Sequence, residues 1–143
     1  MIRNPFRKKK ESAPPAGPPL VAMIDDEQDL CRLVAIALEH HGYAVASAYD
    51  GEAGLALIRQ RRPALVLLDI QMPRMNGYQV LTQMQHDPEL ARLPVIVMTS
   101  LDAQKEFSEE EWARRLGVAR FLAKPFDPWE LITMLRTLLL LKE

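Results

Sequence analysis

Between residues 20 and 141 the chain alternates short, unbroken apolar runs with longer stretches whose apolar residues recur at helical spacing. Leu20-Val21-Ala22-Met23-Ile24, Ala64-Leu65-Val66-Leu67-Leu68 and Val95-Ile96-Val97-Met98 hold no charge, as expected of strands buried on both faces of a sheet. Residues 43–48 and 120–123 predict two further strands. Leu30, Leu33, Val34, Ala37 and Leu38 form one stripe of a first helix that Gly42 stops, with Cys31 between stripe positions. Residues 51–61 predict a second helix, closed by Pro63. Val80, Leu81 and Met84 mark a third, and residues 103–116 a charged fourth ended by Gly117. Pro128 opens a fifth, with Leu131, Ile132, Leu135, Leu138 and Leu139 on one stripe. Five β–α units in succession predict an α/β fold: a five-stranded, doubly wound parallel sheet between two helical layers, with right-handed crossovers.

Residues 1–19 break the pattern. They hold five of the eleven prolines and five basic residues against Glu11, and they predict a flexible leader ahead of a domain over 20–143. The remaining residues carry 13 basic and 18 acidic side chains, so a basic tail precedes an acidic domain. Five charges with Ile2 and Phe6 are too few to secure nucleic acid or an anionic membrane, and no nucleic-acid partner is expected. No apolar run reaches the roughly 18 residues of a membrane span. The single cysteine permits no internal disulfide, and no signal peptide is legible, so a cytoplasmic setting is expected.

The polar residues that end the strands carry the chemistry. Asp25-Asp26 follow the first strand, Asp69 the third, Thr99-Ser100 the fourth and Lys124-Pro125 the fifth. Parallel strands present all their C-terminal ends at one edge, where ligands of open α/β sheets bind. With the first and third strands adjacent, Asp25, Asp26 and Asp69 would converge. Clustered carboxylates disfavour one another's ionisation, which a divalent cation or an ammonium group relieves. Oxygen-only ligands suit Mg²⁺, Lys124 supplies the ammonium, and Thr99 a hydroxyl. These are the parts needed to transfer a phosphoryl group to a carboxylate.

The segments 21–27 (VAMIDDE), 68–73 (LDIQMP) with Met75 and Gly77, 98–100 (MTS) and 121–126 (FLAKPF) together resemble the receiver domain of bacterial response regulators, over roughly residues 20–141. That resemblance implies a flavodoxin-like strand order 2-1-3-4-5, with Asp69 as phosphoacceptor. It further implies Mg²⁺ held by Asp25, Asp26, Asp69 and the backbone carbonyl of Gln71. Lys124 would pair with phosphoryl oxygens, Thr99 would bond the phosphoryl group once formed, and Phe121 would swing inward with Thr99. The Lys124–Pro125 bond would be cis. Expected partners are a histidine kinase or phosphotransfer protein and a downstream protein target, with a possible homodimer through helix 4, strand 5 and helix 5. No enzyme activity beyond self-phosphorylation and self-dephosphorylation is expected.

Two departures from the family stand out: a long stretch from Thr99 to Lys124, and Gln71 two residues beyond Asp69. The bland alternatives are an acidic helix cap for Asp25-Asp26, a turn role for Asp69, a solvated Lys124, a structural Thr99 and a core Phe121. Two other functions compete. An aspartyl phosphohydrolase would want a second acid where Gln71 stands, and a pseudo-receiver would want a damaged pocket. His40, His41 and His86 lack metal-ligand spacing and read as surface or helix-end residues. Trp112 and Trp129 read as packing residues, with an interaction face as the alternative for either, and part of Leu138–Leu141 should be exposed.

Overall fold

The computed structural model describes residues 17–100 and 107–141, with the side chain of Leu141 excepted; most of the leader and residues 101–106, which include the start of the helix expected over 103–116, lie outside them. The strands are β1 (Leu20–Ile24), β2 (Ala44–Ala48), β3 (Leu65–Asp69), β4 (Val95–Ser100) and β5 (Arg120–Lys124). The helices are α1 (Gln28–His40), α2 (Gly51–Arg61), α3 (Gly77–Gln85), α4 (Glu109–Leu116) and α5 (Pro128–Leu141). All pairings are parallel, in the order β2-β1-β3-β4-β5. The α/β class and strand order expected from the sequence are those of the structure.

Strand alternation divides the core in two. Ala22, Ile24, Val66, Leu68 and Val97 face Leu55 and Ile58 of α2, Val80, Leu81 and Met84 of α3, and Ala113 of α4. Val21, Met23, Leu65, Leu67, Ile96, Met98 and Leu122 face Val34 and Leu38 of α1 and Leu131, Ile132, Met134 and Leu135 of α5. Burying apolar surface contributes about 25 cal/mol per Å², so two dry faces anchor the central strands. β2, at the sheet edge, is only half-buried.

Two sequence expectations for α1 need correcting. Leu33 is 65% exposed, whereas Cys31 is buried in line with Val34 and Leu38. The stripe is therefore rotated by part of a turn, because a helix with apolar residues on its flank offers two overlapping stripes. In α4 the helix opens at Glu109, where the Ser108 hydroxyl accepts a hydrogen bond from the Glu111 N–H, and Gly117 closes it at φ 71°. Trp129 is exposed rather than packed, as is Leu140, while Trp112 lies partly buried against the core. Among the described residues no helix is long and apolar enough to cross a membrane.

Candidate functional site

The only buried polar or charged residues among those described are Asp25, Asp69 and Thr99. All three sit where a central strand reaches the C-terminal edge of the sheet. Asp25 follows β1 directly, and its N–H still pairs with the Ala48 carbonyl, so its backbone is held as rigidly as the strand. Asp69 is the last residue of β3, opposite Met98. Because β1 and β3 are neighbours in register, oxygens of Asp25, Asp26 and Asp69 lie within 4.8 Å of one another. Asp26 is exposed and the other two are buried, so the cup has one wet wall.

Lys124 ends β5 two strands away and spans the gap. Its Nζ donates to Asp25 Oδ2 at 2.7 Å, Glu27 Oε1 at 2.9 Å and Asp69 Oδ2 at 3.4 Å. The Lys124–Pro125 peptide is cis, as expected. The remaining carboxylate oxygens take backbone donors: Glu27 N–H on Asp25 Oδ1 at 2.9 Å and Gln71 N–H on Asp69 Oδ1 at 3.1 Å.

These contacts shape the titration of the site. Burial pushes the Asp69 carboxyl up to about 6, and the neighbouring Asp25 charge adds to the rise. The Lys124 ammonium and the Gln71 N–H pull the other way and only partly offset it. For Lys124, burial alone would lower the pKa, but hydrogen bonds to Asp25 and Glu27 outweigh it and hold the ammonium well above the ordinary lysine range. At neutral pH the lysine is therefore charged.

The loop beyond Asp69 is shaped by close approach. Gly77 opens α3 with its N–H on the Ile70 carbonyl, and a Cβ there would stand 2.4 Å from the Asp69 carbonyl oxygen. No side chain fits at that position. Asn76 and Gln79 form a capping box that starts α3 immediately beside the site.

Every expected site residue can now be placed. Asp25, Asp26, Asp69 and Lys124 come together. Gln71 lies at the rim with its N–H on Asp69, and Thr99 is buried next to Asp69's strand with no hydrogen-bond partner for its hydroxyl among the described residues. Phe121 is buried 2% exposed against Trp112 of α4, ring centroids 6.1 Å apart and nearly parallel. The capping alternative for Asp25-Asp26 is not what is observed: the N-cap of α1 is Glu27, and its own side chain makes no capping bond. His41 and His86 donate from Nδ1 to the Ala37 and Thr82 carbonyls, and exposed His40 lies against His41, all at helix ends. Sequence reasoning gave no role to Glu27, the second partner of Lys124. Its contact spans 97 positions, and the only available signal was its place directly after Asp25-Asp26.

The sequence pattern of the response regulator receiver domain matches residues 21–136. The chain belongs to this family. Protein PilH of Pseudomonas aeruginosa is 34% identical over 119 residues, covering 83% of this chain and 96% of PilH. The DNA-binding regulator RpaA of Synechocystis is 35% identical, but the chain spans only 49% of its length. Among solved structures, the Francisella response regulator 1452 receiver domain superposes with a TM-score of 0.77 at 26% identity, covering 87% of this chain and 99% of that one. Vibrio cholerae chemotaxis protein CheY4 gives 0.72 at 26% identity, with 84% and 98% covered. Receiver domains are signalling modules of two-component systems, and the acidic cluster of this receiver is of the kind that suits Mg²⁺.

Proposed function

We propose that this receiver accepts a phosphoryl group on Asp69 from a histidine kinase or phosphotransfer protein and passes the signal to a downstream protein. One observation carries the reading: a single lysine nitrogen bridges Asp25 and Asp69 inside a cup of three carboxylates. An acid-rich cleft holding one fixed cation suits a group that brings three anionic oxygens of its own.

The donor set also fits a hard divalent cation. Carboxylates of Asp25, Asp26 and Asp69, with the backbone carbonyl of Gln71, offer oxygen ligands and nothing softer. Mg²⁺ held there would neutralise charge on the transferring phosphoryl oxygens. This chain's residues do the rest. An Asp69 oxygen attacks phosphorus in line, the bond from phosphorus to the donor's leaving atom breaks, and the leaving group departs with that electron pair. Lys124 already points at Asp69 Oδ2 and pairs with a phosphoryl oxygen without changing its hold on Asp25. The buried Thr99 hydroxyl supplies a further donor for the new group; its lack of a partner favours a bond there. As Thr99 moves, Phe121 shifts against Trp112, and the surface of α4, β5 and α5 changes with it. Exposed Trp129 and Leu140 lie on α5, where a protein target or a second copy would dock.

Incubation with Mg²⁺ and acetyl phosphate, followed by intact mass measurement, tests the reading. One phosphoryl group should add to the wild type and none to Asp69→Asn. A phosphoryl group that persists on the Asn variant refutes the assignment.

A further inference from the structure

Glu27 occupies the N-cap of α1, a position where a short polar side chain ordinarily accepts a hydrogen bond from the first turn. Its side chain makes no such bond. It is turned instead onto Lys124, 2.9 Å from Nζ, while its own N–H is fixed on Asp25 Oδ1. The carboxylate thus stands in the rim of the acidic cup, its side chain 61% exposed, two hydrogen-bond lengths from Asp69 through one shared nitrogen. Beside it opens a cleft of about 350 Å³ lined by Glu27, Leu30, Ser100, Lys124, Pro125 and Phe126. Of these residues Lys124 is the only cation and Glu27 the only anion. A small phosphodonor that enters by this cleft toward Lys124 passes a fixed negative charge before it meets the positive one.

From this we infer that Glu27 is a specificity-determining residue: its charge disfavours capture of free, highly anionic phosphodonors relative to less charged ones. The inference rests on Asp69 being the phosphoacceptor. Glu27 is not required for the bond change itself. All three N–H groups of Lys124 are occupied, by Asp25, Glu27 and Asp69. A phosphoryl group on Asp69 takes over only the longest of these contacts. Glu27 then keeps its place and its charge, acting on the approach of the donor rather than on the transfer. In the transfer, phosphorus moves from the donor oxygen or nitrogen to an Asp69 oxygen, and the donor leaves as carboxylate or amine.

The full chain with Mg²⁺ provides the test, with acetyl phosphate as the more highly charged donor and phosphoramidate as the less charged. Glu27→Gln keeps an oxygen for Lys124 and removes the charge. It should lower the half-saturating acetyl phosphate concentration roughly threefold to tenfold, with the maximal rate near wild type. The gain for phosphoramidate should be smaller, and both gains should shrink at high salt. Glu27→Asp, which keeps the charge, should retain the wild-type donor preference, and Glu39→Gln, at the far end of α1, should match wild type. An unchanged or raised half-saturating concentration in Glu27→Gln overturns the inference. So does an equal gain for both donors, or the same gain in Glu39→Gln. If wild type takes up no phosphoryl group from either donor, the Asp69 assignment falls first and this inference with it.

Discussion

The carboxylate cup and helix α4 lie a few residues apart on β5, yet they are held in opposite ways. The cup is built on β1, β3 and β5, two of its three acids, Asp25 and Asp69, are buried, and each of these two has both backbone and lysine contacts. Helix α4 buries a single residue, Ala113. Its other ties are side-chain contacts: Glu109 accepts from the Ala123 N–H on the outer edge of β5 at 2.7 Å, and Trp112 stacks on Phe121. One region concentrates charge on rigid backbone. The other rests on few apolar contacts, the condition under which a segment opens at low cost. Of the two regions, α4 is therefore the one expected to yield more readily.

Five substitutions sharpen or break that contrast. Lys124→Met removes the cation from buried Asp25 and Asp69, and should destabilise the protein by about 3 kcal/mol at neutral pH in urea unfolding. The loss should be smaller in a background already carrying Asp69→Asn. A full loss in both backgrounds would mean that packing of the lysine stem, rather than charge, holds the cup.

Gly77→Ala forces a methyl group against the backbone of Asp69 and Ile70 and should cost about 2 kcal/mol. The counterpart in α4 is Gly117→Ala. Its Cβ would meet only the Gln85 side-chain nitrogen at 3.7 Å, an ordinary contact, but it carries φ 71° and should cost about 1 kcal/mol from backbone strain alone. Equal costs at the two glycines would erase the difference in tightness between the regions.

Asp69→Asn tests the electrostatic side. Without Mg²⁺ the folded protein holds the Asp69 proton more tightly than the unfolded chain does, since the carboxyl rises from 3.8 to about 6. That contribution is complete below the ordinary carboxylate value and is lost as pH rises through the window up to about 6. The Asn variant should therefore be more stable than wild type by about 1–3 kcal/mol at pH 7, with the gap closing toward pH 4. A gap that widens on acidification would reverse the sign and show that Lys124, not burial, dominates at Asp69.

The smallest effect belongs to α4. Glu109→Gln retains an acceptor for the Ala123 N–H but weakens it, at a cost of about 0.5 kcal/mol. Amide exchange in α4 should quicken while exchange in β1 and β3 stays unchanged.

The sheet was legible because strands buried on both faces cannot carry polar residues, so β1, β3 and β4 appear as unbroken apolar runs. The acids were legible for the complementary reason: Asp25, Asp69 and Lys124 interrupt those runs where a buried charge needs a function or a partner. Period alone could not choose between Leu33 and Cys31 for the inner face of α1, since either one extends a stripe that already holds Leu30, Val34, Ala37 and Leu38. Glu27 and Glu109 stayed hidden because each works across the fold, on Lys124 and on the Ala123 N–H, and neither spacing marks such a contact. The start of α4 at Ser108 is a capping signal set in a charged stretch, where the hydrophobic period that marks other helices is weak.

The stacking of Trp112 on Phe121 has a practical side. The chain has two tryptophans, one lying on the aromatic ring of β5 and the other, Trp129, open to solvent on α5 beneath Arg136. Indole emission responds to its surroundings, so the partly buried Trp112 ring is a built-in optical probe of Phe121 and the exposed Trp129 ring one of the α5 surface. A rearrangement between α4 and β5 should be visible in unlabelled protein as a change in Trp112 fluorescence.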